Sequence, residues 1–163
     1  MSNTSSPLNK QHKNFDLHLV IVFMSLAAAI IASFGVLSAL FAQAQQMQTN
    51  IFNIRPDILG DYMNSPLAAV FNLSLLAAGA CFLLATLAIY FTFSDALSRT
   101  IAIVGAIVGL STALMGMFPI NFLEWHRKVS TLYLVSSLVL HCLCFADYFK
   151  PQSTMTGWYL GYR

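Results

Sequence analysis

The chain has 163 residues, of which 58% are hydrophobic and only 9% are charged, and its formal net charge is +2. Soluble domains are about 45–50% apolar and about 25% charged, so this chain has too few charged side chains to coat a globular surface. Its mean hydropathy of +0.70 agrees. The composition excludes an ordinary soluble enzyme, a disordered tail and a nucleic-acid binder, and it predicts an integral membrane protein.

The first eighteen residues are polar and are expected to form a cytoplasmic segment. An uncharged run then extends over residues 19–42 and is long enough to cross a bilayer, which needs ~20 apolar residues. A signal peptide is the alternative, but its apolar core is about 7–15 residues long and ends in small residues. This run is longer and ends in glutamines, so it predicts an uncleaved helix.

Three further runs predict spans over residues 67–93, 100–118 and 129–149, separated by polar connections. The fold class is therefore all-α, a four-helix bundle in the membrane over residues 19–149. The first connection, residues 43–65, is too long for a tight turn and is expected to cover the outer mouth of the bundle. The tail, residues 150–163, is too short and polar to span, and its aromatic residues suit the headgroup zone.

Four spans place both termini on one side of the membrane. With the termini inside, the inner side carries five basic residues, Lys10, Lys13, Arg99, Lys150 and Arg163, and the outer side carries three, Arg55, Arg127 and Lys128. Basic residues are enriched in cytoplasmic loops. The sequence therefore predicts a multipass protein of the cell membrane, such as the bacterial inner membrane, with both termini cytoplasmic.

Small residues form a stripe on three of the predicted helices, and in a membrane such stripes let helix backbones approach closely. The stripes are Ser25, Ala28, Ala32, Gly35 and Ala39 in helix one; Ser65, Asn72, Gly79 and Thr86 in helix two; and Gly105, Gly109, Thr112 and Gly116 in helix three. We interpret them as packing faces, and they do not by themselves indicate a function.

Helix four carries a polar stripe along its length: His126, Ser130, Tyr133, Ser137, His141, Cys144 and Tyr148. An ionisable residue in mid-membrane is costly, so His141 is expected to turn into the bundle with its neighbours. One interpretation is a polar cavity in which Ser137 and His141 contact a ligand or carry a proton. The alternative is a neutral imidazole that hydrogen-bonds to a neighbouring helix, with Asn72 as a possible partner and binding candidate.

A second polar cluster is predicted at the outer face, where Asp61 and His126 lie at the same membrane level. A carboxylate–imidazole pair can perform general acid–base chemistry, which makes both residues catalytic candidates. The alternative is a rim in which Arg127, Lys128 and Trp125 anchor the helix at the headgroups. The sequence lacks metalloprotease, nucleophile-elbow and phosphate-loop motifs, so no cofactor is expected. Cys142 and Cys144 have no second cluster at ligand spacing, so no metal site is predicted.

Two segments together resemble a known family. They are GDYMNSPLAAVFNLSLLAAG, residues 60–79, and GLSTALMGMFPINFLEWHRKVSTLYLVSS, residues 109–137. Their order is similar to that in the domain of unknown function 998 family of small multipass membrane proteins. The resemblance implies that the family-like positions are Asn72, Gly79, Gly116, Phe118, Pro119 and His126. It implies no reaction, substrate or cofactor, and it links the chain only distantly to proteins that modulate lipid remodelling.

Two functions are consistent with these features. The first is a structural or accessory membrane protein, whose partners would be membrane lipids and a second copy or another membrane chain. Such a chain would supply the further helices that the resemblance leads one to expect. The second is a lipid-handling enzyme or transporter that uses the polar stripe and the outer cluster. An enzyme needs several groups aimed at one point, and His126 and His141 are about 22 Å apart along one helix. The first function is therefore favoured.

Overall fold

Four long α-helices make up most of the part of the chain that the computed structural model describes, residues 7–149, with side chains described from residue 17 onward. The helices are α1 (Pro7–Met47), α2 (Ala68–Thr92), α3 (Ala96–Met117) and α4 (Leu123–Tyr148), and no strand occurs in this range. Each helix contains a segment long and apolar enough to cross a membrane. The prediction of an all-α chain with four such helices is confirmed, whereas the tail at 150–163 lies outside the described residues.

The helix ends differ from the predicted ends where local hydrogen bonds extend or stop a helix. α1 begins at Pro7, inside the predicted polar segment, and ends before Gln48, which adopts a left-handed conformation with a φ of 48°. α3 begins early because the Asp95 carboxylate accepts a 2.9 Å hydrogen bond from the Ser98 amide and caps the helix. α4 begins at Leu123, so the charged residues that follow lie on a helix instead of in a loop.

The helices pack in chain order, α1 against α2, α2 against α3 and α3 against α4. Over the described residues, α1 and α4 have at most a marginal contact with each other. The four helices therefore form a curved row that is open on one side, and the two terminal helices flank the opening.

Glycines bring α2 and α3 into backbone contact at the centre of this row. A Cβ atom added to Gly79 would lie 2.5 Å from the amide nitrogen of Ala113 and 2.6 Å from the carbonyl oxygen of Gly109. One added to Gly105 would lie 2.6 Å from Cγ2 of Thr86. The prediction that the third helix packs through Gly105 and Gly109 is confirmed, and its partner is the small-residue stripe of α2.

The connection between α1 and α2, residues 48–67, forms a lid over one end of the row. It contains short 3₁₀ turns at Ile51–Asn53 and Pro56–Gly60. Leu59 and Ile54 are buried against Ala39 of α1. Burying one such side chain stabilises a fold by about 1.5–3 kcal/mol, so these two residues hold the lid down. The connection covers one end of the bundle, as expected. Its position on the outer side of the membrane stays a prediction.

Candidate functional site

A cavity of about 470 Å³ lies under the lid. Residues from the lid and from all four helices line it, and most of these residues are apolar. The polar residues in its wall are Asp57, Asn72, Thr112, His126, Ser130 and Tyr133. Sites for small molecules are usually mostly apolar clefts of about 300–1,000 Å³ with a few polar groups, and this cavity has that character.

The cavity faces the opening between the two terminal helices. Ala32 and Val36 of α1 line one wall, and Tyr133 and Leu134 of α4 line another, although these two helices have at most a marginal contact. A second depression of about 340 Å³ runs over α1 and shares Ala32 and Val36 with the cavity wall. Leu37, which also lines this depression, is 51% exposed on the outer surface of the row. Ala32 and Val36 therefore border both the cavity and a depression on the outside of α1.

His126 is held in the cavity wall by the end of α3. α3 ends at Met117, and Pro119, which has no amide hydrogen, follows the capping residue Phe118. The carbonyl of Phe118 is among the groups at the helix end that have no partner within the helix. Nδ1 of His126 lies 2.9 Å from this carbonyl oxygen. A carbonyl only accepts hydrogen bonds, so Nδ1 must carry the hydrogen. In the neutral ring, Nε2 then presents a lone pair and acts as an acceptor.

Two hydroxyl groups in the wall have likewise committed their hydrogens. Ser130 donates to the carbonyl oxygen of His126 over 2.6 Å, and Thr112 donates to that of Val108 over 2.8 Å. Each hydroxyl oxygen keeps lone pairs that can accept a hydrogen bond. Both hydroxyls therefore act as acceptors towards anything else that they meet.

Asn72 latches the lid onto α2. Its Nδ2 donates a 3.0 Å hydrogen bond to the carbonyl oxygen of Gly60, and the side chain is almost fully buried. Its Oδ1 lies against Gly60, 2.6 Å from where a Cβ would stand, and has no hydrogen-bond partner among the described residues. The candidate partnership of Asn72 with His141 is wrong, because the Asn72 amide binds the lid.

Asp61 does not meet His126, so the predicted carboxylate–imidazole pair is wrong. The Asp61 carboxylate accepts hydrogen bonds from the Asn64 side chain at 2.6 Å, from the Met63 amide at 2.9 Å and from the Asn121 side chain at 2.9 Å. These donors, with Asn64 foremost, hold the pKa of Asp61 below its ordinary value. α2 begins only after Pro66, so Asp61 belongs to the lid and not to a helix face.

Asn121 links the lid to the connection between α3 and α4, and sequence reasoning missed it. Its Nδ2 donates to Asp61, and its Oδ1 accepts a 3.2 Å hydrogen bond from the Tyr62 amide. Asparagine two residues after Pro119 is typical of a turn, but nothing in the spacing connects it to a residue sixty positions away. Asp57, which lines the cavity, was also missed.

The polar stripe of α4 faces the cavity only near the lid. His126, Ser130 and Tyr133 line it, and Ser137 is half-buried and donates to the Leu134 carbonyl of its own helix. His141, Cys144 and Tyr148 are exposed, so the expectation that His141 turns inward is wrong. The face of α4 buried against the row carries Val129, Ser136 and Asp147, about 80° around the helix from the stripe. Beyond the cavity, no helix covers the stripe within the described residues.

His141 meets its hydrogen-bonding requirement within its own helix. Its Nδ1 lies 2.6 Å from the carbonyl oxygen of Ser137, one turn earlier. The partner is a backbone carbonyl of the same helix and not the side chain of a neighbour. Its role as a binding candidate stays a prediction.

Comparison with family models, curated proteins and solved structures gives no significant match for this chain. The resemblance to the domain of unknown function 998 family therefore stays a prediction. The site must be interpreted from its own geometry.

The basic residues at the lid end do not line the cavity. Two guanidinium nitrogens of Arg55 donate to the two carboxylate oxygens of Asp57. Nζ of Lys128 lies 5.1 Å from the centre of the Trp125 ring. Among the described residues, no lysine or arginine lines the cavity, and no cluster of three histidine, cysteine or acidic residues is placed to hold a metal ion. Trp125 and Lys128 are exposed, and their role in anchoring α4 at the headgroups stays a prediction.

Proposed function

We propose that this protein is a multipass membrane protein of accessory type that holds one amphiphilic molecule of the bilayer in the cavity under the lid. The observation that carries the proposal is the position of the cavity, between α1 and α4 where these helices have at most a marginal contact. An amphiphile could enter sideways from the membrane with its apolar part along Ala32 and Val36. Its polar end would then meet His126 and Ser130 near the lid.

The arrangement of polar groups favours binding over catalysis. Enzymatic acid–base chemistry needs groups that converge on one reacting atom. The Asp61 carboxylate is engaged with Asn64, Met63 and Asn121, and the Asp57 carboxylate is engaged with Arg55. Neither carboxylate of the lid is therefore left to work with His126. A lipid-handling enzyme, the second function considered from the sequence, gains no support from this geometry.

Filling the cavity should abolish the binding of the amphiphile. Ala32 lines the cavity, so Ala32→Trp places an indole in it, whereas Ala29→Trp puts the same ring on the exposed face of α1. We expect lipid extracted from the purified wild type and from Ala29→Trp to contain the same enriched species, measured by mass spectrometry. The Ala32→Trp protein should lose that enrichment while keeping its helical circular dichroism. Equal lipid profiles for all three proteins would contradict the proposal.

We also propose that the protein lies in a bacterial inner membrane with both termini cytoplasmic, and so with the lid outside. The distribution of lysine and arginine supports this orientation. Reporter fusions after Arg163 and after Gln48 should report opposite sides, with the first cytoplasmic. Activity of a periplasmic reporter at Arg163, or the same side for both fusions, would contradict the topology.

A further inference from the structure

We propose that the polar end of the bound amphiphile is an uncharged hydroxyl group, as in a long-chain alcohol or a glyceride, and that it donates a hydrogen bond to Nε2 of His126. This inference rests on the proposed function, because it names the chemical class of molecule that the cavity holds. The inference depends on which polar atoms of the cavity wall can still donate a hydrogen bond.

The polar atoms of the wall near the lid are acceptors. The hydrogen on Nδ1 of His126 is committed to Phe118, and the hydroxyl hydrogens of Ser130 and Thr112 are committed to carbonyl oxygens of their own helices. Oδ1 of Asn72 adds a buried acceptor without a partner among the described residues. A ligand that enters this site must supply hydrogens, because a buried acceptor left without a donor is costly.

Charge excludes the other common lipid head groups. No described lysine or arginine lines the cavity, so a phosphate or carboxylate would bring a negative charge into a mostly apolar site without a counter-ion. The oxygens of such a group accept hydrogen bonds, and they would face wall atoms that are also acceptors. An ammonium group would supply hydrogens, but the one carboxylate in the wall, that of Asp57, is already paired with Arg55. A neutral hydroxyl meets the need for a donor without this cost.

Tyr133 fits the same class of ligand. Tyr133 lines the cavity two helical turns from His126 on the same face of α4, and a tyrosine hydroxyl can both donate and accept. A glyceride offers more than one oxygen, so one hydroxyl can donate to His126 while another oxygen accepts from Tyr133.

The test is a competition experiment on the full chain purified in detergent. Tritiated hexadecanol is the probe, and the competitors are hexadecanol, hexadecyl methyl ether, palmitate and hexadecylammonium, which share one chain. We expect hexadecanol to compete about two- to tenfold better than the ether, the difference that one net hydrogen bond makes. Palmitate and the ammonium compound should compete more weakly than the alcohol.

The variant His126→Asn keeps an amide hydrogen where Nδ1 donates to Phe118 and removes the Nε2 acceptor. We expect this protein to bind hexadecanol and its methyl ether equally. The matched control is His141→Asn on the exposed face of the same helix, which should keep the wild-type preference. Preference for palmitate or the ammonium compound, or an unchanged preference in His126→Asn, would overturn the hydroxyl assignment. If Ala32→Trp leaves hexadecanol binding intact, the proposed function itself fails.

Discussion

Gly79→Ala should lower the stability of the protein in detergent by about 1–3 kcal/mol, the range observed when extra atoms are forced into a packed interior. The new methyl group would stand 2.5 Å from the Ala113 amide nitrogen and 2.6 Å from the Gly109 carbonyl oxygen. Both are backbone atoms of α3, which no side-chain rotation can move aside. The helices must therefore separate, and the gain of about 1 kcal/mol in helix propensity on replacing glycine offsets only part of the cost.

The measurement is thermal or denaturant unfolding followed by circular dichroism. Ala80→Leu is the matched control, because Ala80 is the next residue on α2 and is exposed on the outer surface. It adds more atoms than Gly79→Ala, yet we expect it to leave the midpoint unchanged. A Gly79→Ala protein as stable as the wild type would mean that α2 and α3 do not approach as closely as described.

Asn72→Ala and Gly60→Ala should each loosen the lid, and the double variant should be less destabilised than the sum of the two. Asn72→Ala removes the hydrogen bond to the Gly60 carbonyl, which is expected to cost about 1–3 kcal/mol. Gly60→Ala costs stability because its methyl group would lie 2.6 Å from Oδ1 of Asn72, whereas the next nearest atoms, on Phe71, are at 3.4 Å. Once Asn72 is alanine, the clash with its Oδ1 is gone and the Phe71 atoms at 3.4 Å are at an ordinary contact distance, so the two effects are coupled.

Hydrogen exchange of residues 51–65, measured by mass spectrometry, reports the order of the lid directly. Both single variants should exchange faster there, while the central turns of α2 and α3 keep their protection. Asn53→Ala, which removes an exposed asparagine from the same lid, should exchange like the wild type. Additive effects of Asn72→Ala and Gly60→Ala would show that these two residues do not form the latch.

Much of the fold can be predicted from sequence patterns that lie within one helix or one pair of helices. The uncharged runs locate the four long helices, and the spacing of Gly79, Gly105 and Gly109 identifies the faces on which α2 and α3 meet. The lid was also foreseeable, since a polar connection of this length must fold back over something. These features depend on hydrophobicity and side-chain size, which can be read directly from the sequence.

The site depends instead on how far each helix is rotated about its axis. The sequence shows the stripe on α4, but burial of His141 required extensive packing of α4 against α1, which the described residues lack. Spacing likewise predicted that Asp61 and His126 lie at the same membrane level and form a pair. In the structure, the side chains of Asn64 and Asn121 donate to the Asp61 carboxylate instead. Periodicity within a helix gives no information on which neighbour covers a face, so these interpretations failed.

The open side of the helix row gives the protein two mechanically different parts. Backbone contact through Gly79 and Gly109 makes α2 and α3 a stiff pair, because interlocked main chains cannot slide without breaking van der Waals contact. α1 and α4 are each attached along only one flank, so their separation can change without disturbing that pair. The lid ties the structure at one end alone. The distance between α1 and α4 should therefore vary most at the end of the helices that is remote from the lid.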